Sequence, residues 1–408
     1  MQEKSFEKRY ALRYQVYILM KSFRADYVFP IYADPIKNGI VTVDDLGKII
    51  AVSESNKPPS GPIQQVSGII TPGFINTHCH TELSHLKDRV TPRGGLVNFI
   101  KDVQSLRNTD QQEVLDAIAK ADQEMYDNGI VAVGDISNTN NSVAMKKQSR
   151  LYYHTFIETF GFLPERATEV FEKAQALQSE FKPGACSITP HAPYSVSKEL
   201  FKLIKKYSDG ADDNLLSIHN QECEDENKFY RYKLGAFLDL YDHFGMDISY
   251  FKPQARNSVQ SIIPLLSSKQ KVLLVHNTCT NLKDIYFIKR FDKKINWCFC
   301  PNANLYIEGR LPKIDLFVDQ GFNITLGTDS LASNSKLSIL SEMQAIQQKF
   351  PSIGLPRLTE WATRNGAEYL GIDDEKGTLS PGKTPGLNLI SGLDGFKITP
   401  ETTVKKLV

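Results

Sequence analysis

The chain has no Cys-x-x-Cys pair and no cysteine framework of the secreted type. Its six cysteines (79, 186, 223, 279, 298 and 300) suit reduced thiols in a cytoplasm. Neither sign of charge is in excess: Lys+Arg 48 against Asp+Glu 47 leaves +1, which gives no electrostatic case for a nucleic acid or a membrane surface. No apolar run approaches the roughly 20 residues of a membrane span. The leading segment carries Lys4, Lys8, Arg9 and Arg13 before the short apolar Val16 to Met20, and no small-residue cleavage site follows. It reads as a poor signal peptide and leaves Met20 as an alternative start. Internal repeats and low-complexity tracts are lacking. Gly94-Gly95 has no P-loop lysine context and reads as a turn, not a phosphate cradle.

Against these absences stands one dense stretch, Ile69-Ile70-Thr71-Pro72-Gly73-Phe74-Ile75-Asn76-Thr77-His78-Cys79-His80. It reads as a buried strand ending in two histidines. Residues i and i+2 of a strand point the same way, so His78 and His80 project together while Cys79 faces the other layer. Two neutral imidazoles on one face make half of a zinc-type site. Four further apolar runs also end in polar, ligand-type residues. Cys186 to Pro190 runs into His191, Leu215 to Ile218 into His219 with Glu222 beyond it, Val272 to Val275 into His276, and Ile324 to Thr328 into Asp329. Short buried strands alternate with helical patterns at Gln111 to Asn128, Ala167 to Phe181, Ser197 to Tyr207 and Lys336 to Lys349. That is the signature of an α/β fold, a (β/α)8 TIM-like barrel, in which strand ends converge on one mouth. The 408 residues exceed the about 250 of such a barrel and leave room for a smaller module.

An ordered set of motifs carries a resemblance: Pro72 to His80, Pro190-His191-Ala192-Pro193-Tyr194, Ile218-His219-Asn220-Gln221-Glu222, Val275-His276-Asn277, Cys300-Pro301-Asn302-Ala303-Asn304-Leu305 and Leu326-Gly327-Thr328-Asp329-Ser330. With them the chain resembles the amidohydrolase superfamily, and within it the cytosine/guanine/adenosine-type aminohydrolases. His80-Thr81-Glu82-Leu83-Ser84, followed by Gly95 to Leu106, looks most like the aminofutalosine deaminases, beside the methylthioadenosine/S-adenosylhomocysteine deaminase-like proteins. The resemblance implies a small β-sandwich built from both chain ends (20–70 with 351–408, the latter including the C-terminal region) beside a metal-dependent barrel at 71–350. Strands are expected at Tyr27 to Ile31, Ile40 to Val43, Lys48 to Val52 and Leu387 to Ile390, separated by turns that include Pro58-Pro59.

The same resemblance places one divalent ion on His78, His80, His219 and Asp329. Three imidazoles and a carboxylate suit zinc first and iron second, with a position left for water. Dinuclear relatives add a lysine on the fourth strand, where this chain has His191, so one ion is expected. The implied reaction is hydrolytic deamination of an aminopurine nucleoside-like compound of the aminofutalosine, methylthioadenosine or S-adenosylhomocysteine type. Glu222 protonates a ring nitrogen, His276 orients the attacking water, and Asp329 relays a proton to departing ammonia. Glu224, Asp225 and Glu226 read as a solvated charge run. Substrate contacts are expected from His191, Glu82, Glu158 and Asn304, and aromatic walls from Phe99 and Trp297. The H-x-E with P-C-x-x-C of base-flipping deaminases is missing, so the partner is a small molecule, neither nucleic acid nor membrane. A homodimer is compatible with the reading. The same site could instead cleave another C–N or C–Cl bond, in a cyclic amide or a chlorotriazine. A non-catalytic scaffold is the remaining alternative, opposed by the full ligand set.

Overall fold

A computed structural model describes residues 20–54 and 61–408. The segment before Met20 and the Pro58-Pro59 turn lie outside the described residues. Eight parallel strands succeed one another in chain order: β1 (Phe74–Cys79), β2 (Ile130–Ser137), β3 (Tyr152–Thr159), β4 (Ala185–Pro190), β5 (Leu216–Asn220), β6 (Lys271–His276), β7 (Lys294–Phe299) and β8 (Ile324–Leu326). They are buried along nearly their whole length, as strands covered on both faces must be. Backbone ladders join β1 to β4 and β5 to β8 as two four-stranded sheets.

Polar side chains close the two remaining seams. Between β4 and β5, Thr189 Oγ1 donates to Ser217 O (2.6 Å) and accepts from Ser217 N (2.8 Å), and His219 N donates to His191 O (2.9 Å). Between β8 and β1, Thr328 N and Asp329 N both donate to His78 O at 3.1 Å, beside a parallel bridge from Cys79 to Asp329. There the Asn76 amide donates to Thr328 Oγ1 (2.8 Å) and its carbonyl accepts from Thr328 N (3.1 Å). Buried polar residues inside strands are expensive unless paired, and here they do the pairing that the ladders leave undone.

The helices between strands include α1 (Leu96–Leu106), α2 (Gln111–Asp127), α3 (Val143–Gln148), α4 (Ala167–Phe181), α5 (Lys198–Gly210), α6 (Glu224–Tyr232) and α7 (Phe237–His243), and a further helix, Ile339–Lys349, follows β8. Asp110 caps α2 by accepting from Glu113 N, and Ser197 caps α5 by accepting from Leu200 N. Helix α2 buries Val114, Ile118, Ala121 and Met125, one stripe at helical spacing.

The chain ends form two further sheets. One holds Ile49–Ser53, Ile40–Val43, Lys21–Arg24 and Ile63–Gln65; the other holds Thr403–Lys406, Leu387–Ser391, Ile69–Pro72, Tyr27–Val28 and Ile36–Lys37. Phe23, Val41 and Val43 of the first share a core with Val28, Ile70 and Leu387 of the second, which makes the small β-sandwich. The strand expected over Tyr27 to Ile31 stops at Val28, because Ile31 turns into the left-handed region at φ 72°. Past residue 350, Leu355–Trp361 and Arg364–Leu370 are helices packed against the barrel. Tyr369 is fully buried there and donates its hydroxyl to Leu216 O at 2.9 Å. Among the described residues no helix is long and apolar enough to cross a membrane.

Candidate active site

Strand direction brings the polar ends together. His78 and His80 leave β1, His219 ends in β5, His276 ends β6, and Asp329 follows β8. His80 Nε2 lies 3.2 Å from both His78 Nε2 and His219 Nε2, and Asp329 Oδ1 lies 3.7 Å from His78 Nε2 and 3.5 Å from His80 Nε2. His219 Nδ1 is 2.9 Å from His191 O, an oxygen that can only accept. Its proton therefore sits on Nδ1, and Nε2 turns a lone pair toward the cluster. The ring N–H held by an outer carbonyl is the usual arrangement of a ligating imidazole.

Burial holds His78 and His80 well below the ordinary histidine value and lowers His219 also, so all three are neutral donors. Burial works to raise Asp329, but the imidazoles of His80 and His276 and the Ser333 hydroxyl outweigh it and leave the carboxyl lowered. Ser333 Oγ donates to Asp329 Oδ2 at 2.6 Å. Lone pairs turned toward one another in such a cluster, those of His219 Nε2 and the Asp329 carboxylate among them, repel unless a cation sits among them. Ligands about 2.1 Å from a tetrahedral zinc would stand about 3.4 Å apart, which matches the observed edges. The set fits a divalent metal ion. His276 also belongs geometrically, since His78, His219, His276 and Asp329 each offer an atom within 4.8 Å of the others.

The backbone pays for this convergence: His276 (φ 71°) and Asp329 (φ 56°) both lie in the left-handed region, where a non-glycine residue costs about 1–3 kcal/mol. Gly327 allows β8 to approach β1 beneath the cluster, as a Cβ there would meet His78 Cβ at 2.8 Å and His78 O at 2.9 Å.

Glu222 is buried, with Oε2 3.7 Å from His276 Nε2, and burial followed by the charge of Asp329 pushes it well above the ordinary carboxylate value. It opens with His80, His219, His276 and Asp329 onto a cavity of about 810 Å³. His191 and Glu158 line the same cavity. His191 Nδ1 contacts Ser195 Oγ at 2.6 Å, and burial takes the ring down to about 4. Glu158 is raised by burial; one oxygen accepts from Asn138 Nδ2 (3.1 Å), and the other has no hydrogen-bond partner. Away from the cluster Phe99, Val103, Phe162, Leu240, Phe244 and Met246 give the cavity an apolar wall, beside the charged Arg107, Arg166, Lys173 and Glu180.

Four residues sit differently from the sequence expectation. The cavity lining includes neither Glu82 nor Asn304 among the described residues. Both oxygens of Glu82 are engaged elsewhere, accepting from Asn138 N (3.0 Å), Thr139 N (3.1 Å) and Thr139 Oγ1 (2.9 Å), so this residue shapes a neighbouring loop. Asn304 is fully buried behind His276. Trp297 is core rather than wall, edge-on to Phe317, whereas Phe99 does line the cavity. Of the expected solvated run, Glu226 is completely buried because α6 turns that side inward. Sequence reading also missed Ser333, Asn138 and Arg107, the last lining the cavity 3.7 Å from Glu82 Oε1. All three sit in loops or at a helix end, where no periodicity reports direction.

The amidohydrolase family model matches residues 69–408, and the chain belongs to that family. It is 27% identical over 320 residues to an adenosine deaminase of Helicobacter pylori, covering 76% of each chain. Among solved structures it is similar to aminofutalosine deaminase of Helicobacter pylori in complex with methylthio-coformycin, with a TM-score of 0.75, 23% identity and 93% of each chain covered. It is similar as well to an adenosine deaminase from Xanthomonas campestris with bound zinc, with a TM-score of 0.71, 21% identity, and 93% and 86% of the two chains covered.

Proposed function

We propose that this protein is a metal-dependent aminohydrolase that removes ammonia from an aminopurine nucleoside-like small molecule. What carries the reading is that His80 Nε2 lies 3.2–3.5 Å from His78 Nε2, His219 Nε2 and Asp329 Oδ1, with the raised carboxyl of Glu222 in the same cavity. The chain's similarity to an adenosine deaminase of Helicobacter pylori supports it. His78, His80, His219 and Asp329 would hold the ion. Zinc is the metal we assign, from the borderline-soft imidazole set and a likeness to a zinc-bound structure. When bound, such an ion lowers the pKa of a water from about 16 toward about 7.

The chain's own residues supply the rest. Glu222, protonated in its dry pocket, delivers a proton to the ring nitrogen beside the carbon under attack, which makes that carbon electrophilic. His276 faces the same point and orients the incoming water. Asp329 accepts one proton from that water and hands it to the amine as it leaves as ammonia, and the hydroxyl left on the ring carbon returns its proton to Glu222 as it becomes a carbonyl. Glu158, with its unpartnered oxygen, and His191 are placed to take hydroxyl donors of a sugar. The apolar wall of Phe99, Phe162, Leu240 and Met246 would accept a 5′-substituent, as in aminofutalosine, methylthioadenosine or S-adenosylhomocysteine. Its free thiols suit a cytoplasmic enzyme.

The test is ammonia release by zinc- or iron-loaded protein from a panel of aminopurines, their nucleosides, aminofutalosine, guanine and cytosine. We expect release from a nucleoside, reduced about 10²–10⁴-fold in Glu222→Gln with its metal content unchanged. A metal-loaded wild type that releases no ammonia from any member would sink the proposal and return weight to other C–N or C–Cl substrates.

A further inference from the structure

Asn304 follows β7 on the short helix Pro301–Ile307, and its side-chain nitrogen lies 3.1 Å from His276 Nδ1 and 3.0 Å from Thr278 Oγ1. Its own oxygen is buried without a partner. As oriented, the amide turns its N–H groups toward these two atoms, and an N–H can only donate. The amide nitrogen therefore donates to His276, whose Nδ1 must offer a lone pair. In a neutral imidazole the proton then resides on Nε2. Nε2 is the atom that faces Glu222 Oε2 at 3.7 Å and the metal-type cluster.

We infer that Asn304 is a positioning residue that fixes the tautomer of His276, so that this imidazole presents an N–H to the attacking oxygen instead of a lone pair to the ion. By distance alone His276 could be a ligand; by tautomer it is a donor. The ligand set then closes at His78, His80, His219 and Asp329, and the site holds one ion. The catalytic consequence rests on the aminohydrolase reading, whereas the tautomer does not.

The experiment is a long-range ¹⁵N–¹H correlation spectrum of the full chain labelled with ¹⁵N-histidine. His276 is assigned by the signal lost in His276→Gln. We expect Nε2 to carry the proton and Nδ1 to be of the unprotonated type. Asn304→Asp places an acceptor at Nδ1 and should move the proton there, since a carboxylate at that nitrogen holds it. In that variant the visible absorption of the Co²⁺ form should weaken as coordination number rises. Its kcat for the substrate found above should fall about 10²–10³-fold with KM little changed, the usual loss for one misdirected donor. A wild type with its proton on Nδ1 overturns the inference, and so does an Asn304→Asp spectrum identical to wild type. If that variant does not fold, the wild-type spectrum decides alone. A wild type with the expected tautomer but no ammonia release overturns the deaminase reading and leaves the tautomer standing.

Discussion

Glu226 shows how far one side chain can depart from its sequence context. Three acids in a row suggest solvent, yet helix α6 turns the third inward, where its Oε1 accepts from Gln221 N at 3.1 Å. Burial, stronger than the hydrogen bonds it accepts, raises its carboxyl from 4.5 to about 7. The folded chain thus keeps a proton that the unfolded chain has already released. This group favours the fold below about pH 4.5, and its contribution is lost as pH rises toward 7, on the order of 3 kcal/mol over the interval. Glu226→Gln removes the titration. Urea unfolding at pH 5 and pH 8 should show the variant gaining on wild type at the higher pH; an equal gap at both would mean Glu226 ionises freely in the fold. Asn304 makes the same point from the other side: its motif marks it as functional, but only the packing behind β6 says what it touches.

At the scale of elements, the seams distinguish this barrel from eight interchangeable strands. At the β8–β1 seam Gly327 is a tight point, with His78 filling the space its side chain would need. Gly327→Ala should push β8 off β1, displace His78 and Asp329 relative to each other, and lower metal affinity at least tenfold. Competition with a chelator measures this, and unchanged affinity would show that the strand shifts without the ligands. The strand ends were legible in the sequence because buried parallel strands read as apolar runs, and a histidine or aspartate closing such a run has few structural reasons to be there. Asn76, Thr77, Thr189 and Ser217 were not legible as seam residues. Each looks like a blemish in a strand until its partner, far away in the chain, is known. Glu82 misled for a related reason. Strand alternation places it on the ligand side of His80, but the chain stops being a strand at Cys79 and the period no longer applies.

For the molecule as a whole, the division of labour is between a sandwich that fastens the two chain ends and a barrel that gathers the chemistry. Both were visible as textures, alternating short strands against strand–helix alternation, although the exact edges of the sandwich strands were not. The β1–β8 closure carries a further meaning. Asn76 and Thr328 are 252 residues apart, and the proposed ion would join His78 and His80 on one side of that closure to Asp329 on the other. It would act as a reversible cross-link over most of the barrel's length, a single rivet at a seam where the regular backbone ladder is missing. A cross-link that closes so long a loop restrains the chain strongly, and a ligand bound only by the native state adds its binding energy to stability. Stripping the metal should therefore lower the melting temperature. Hydrogen exchange should accelerate first at Phe74–Cys79 and Ile324–Leu326, with β2, β3 and β6 following only on global unfolding. Uniform acceleration would place the weak point elsewhere. On this view metal loading does more than arm the site: it latches the barrel shut.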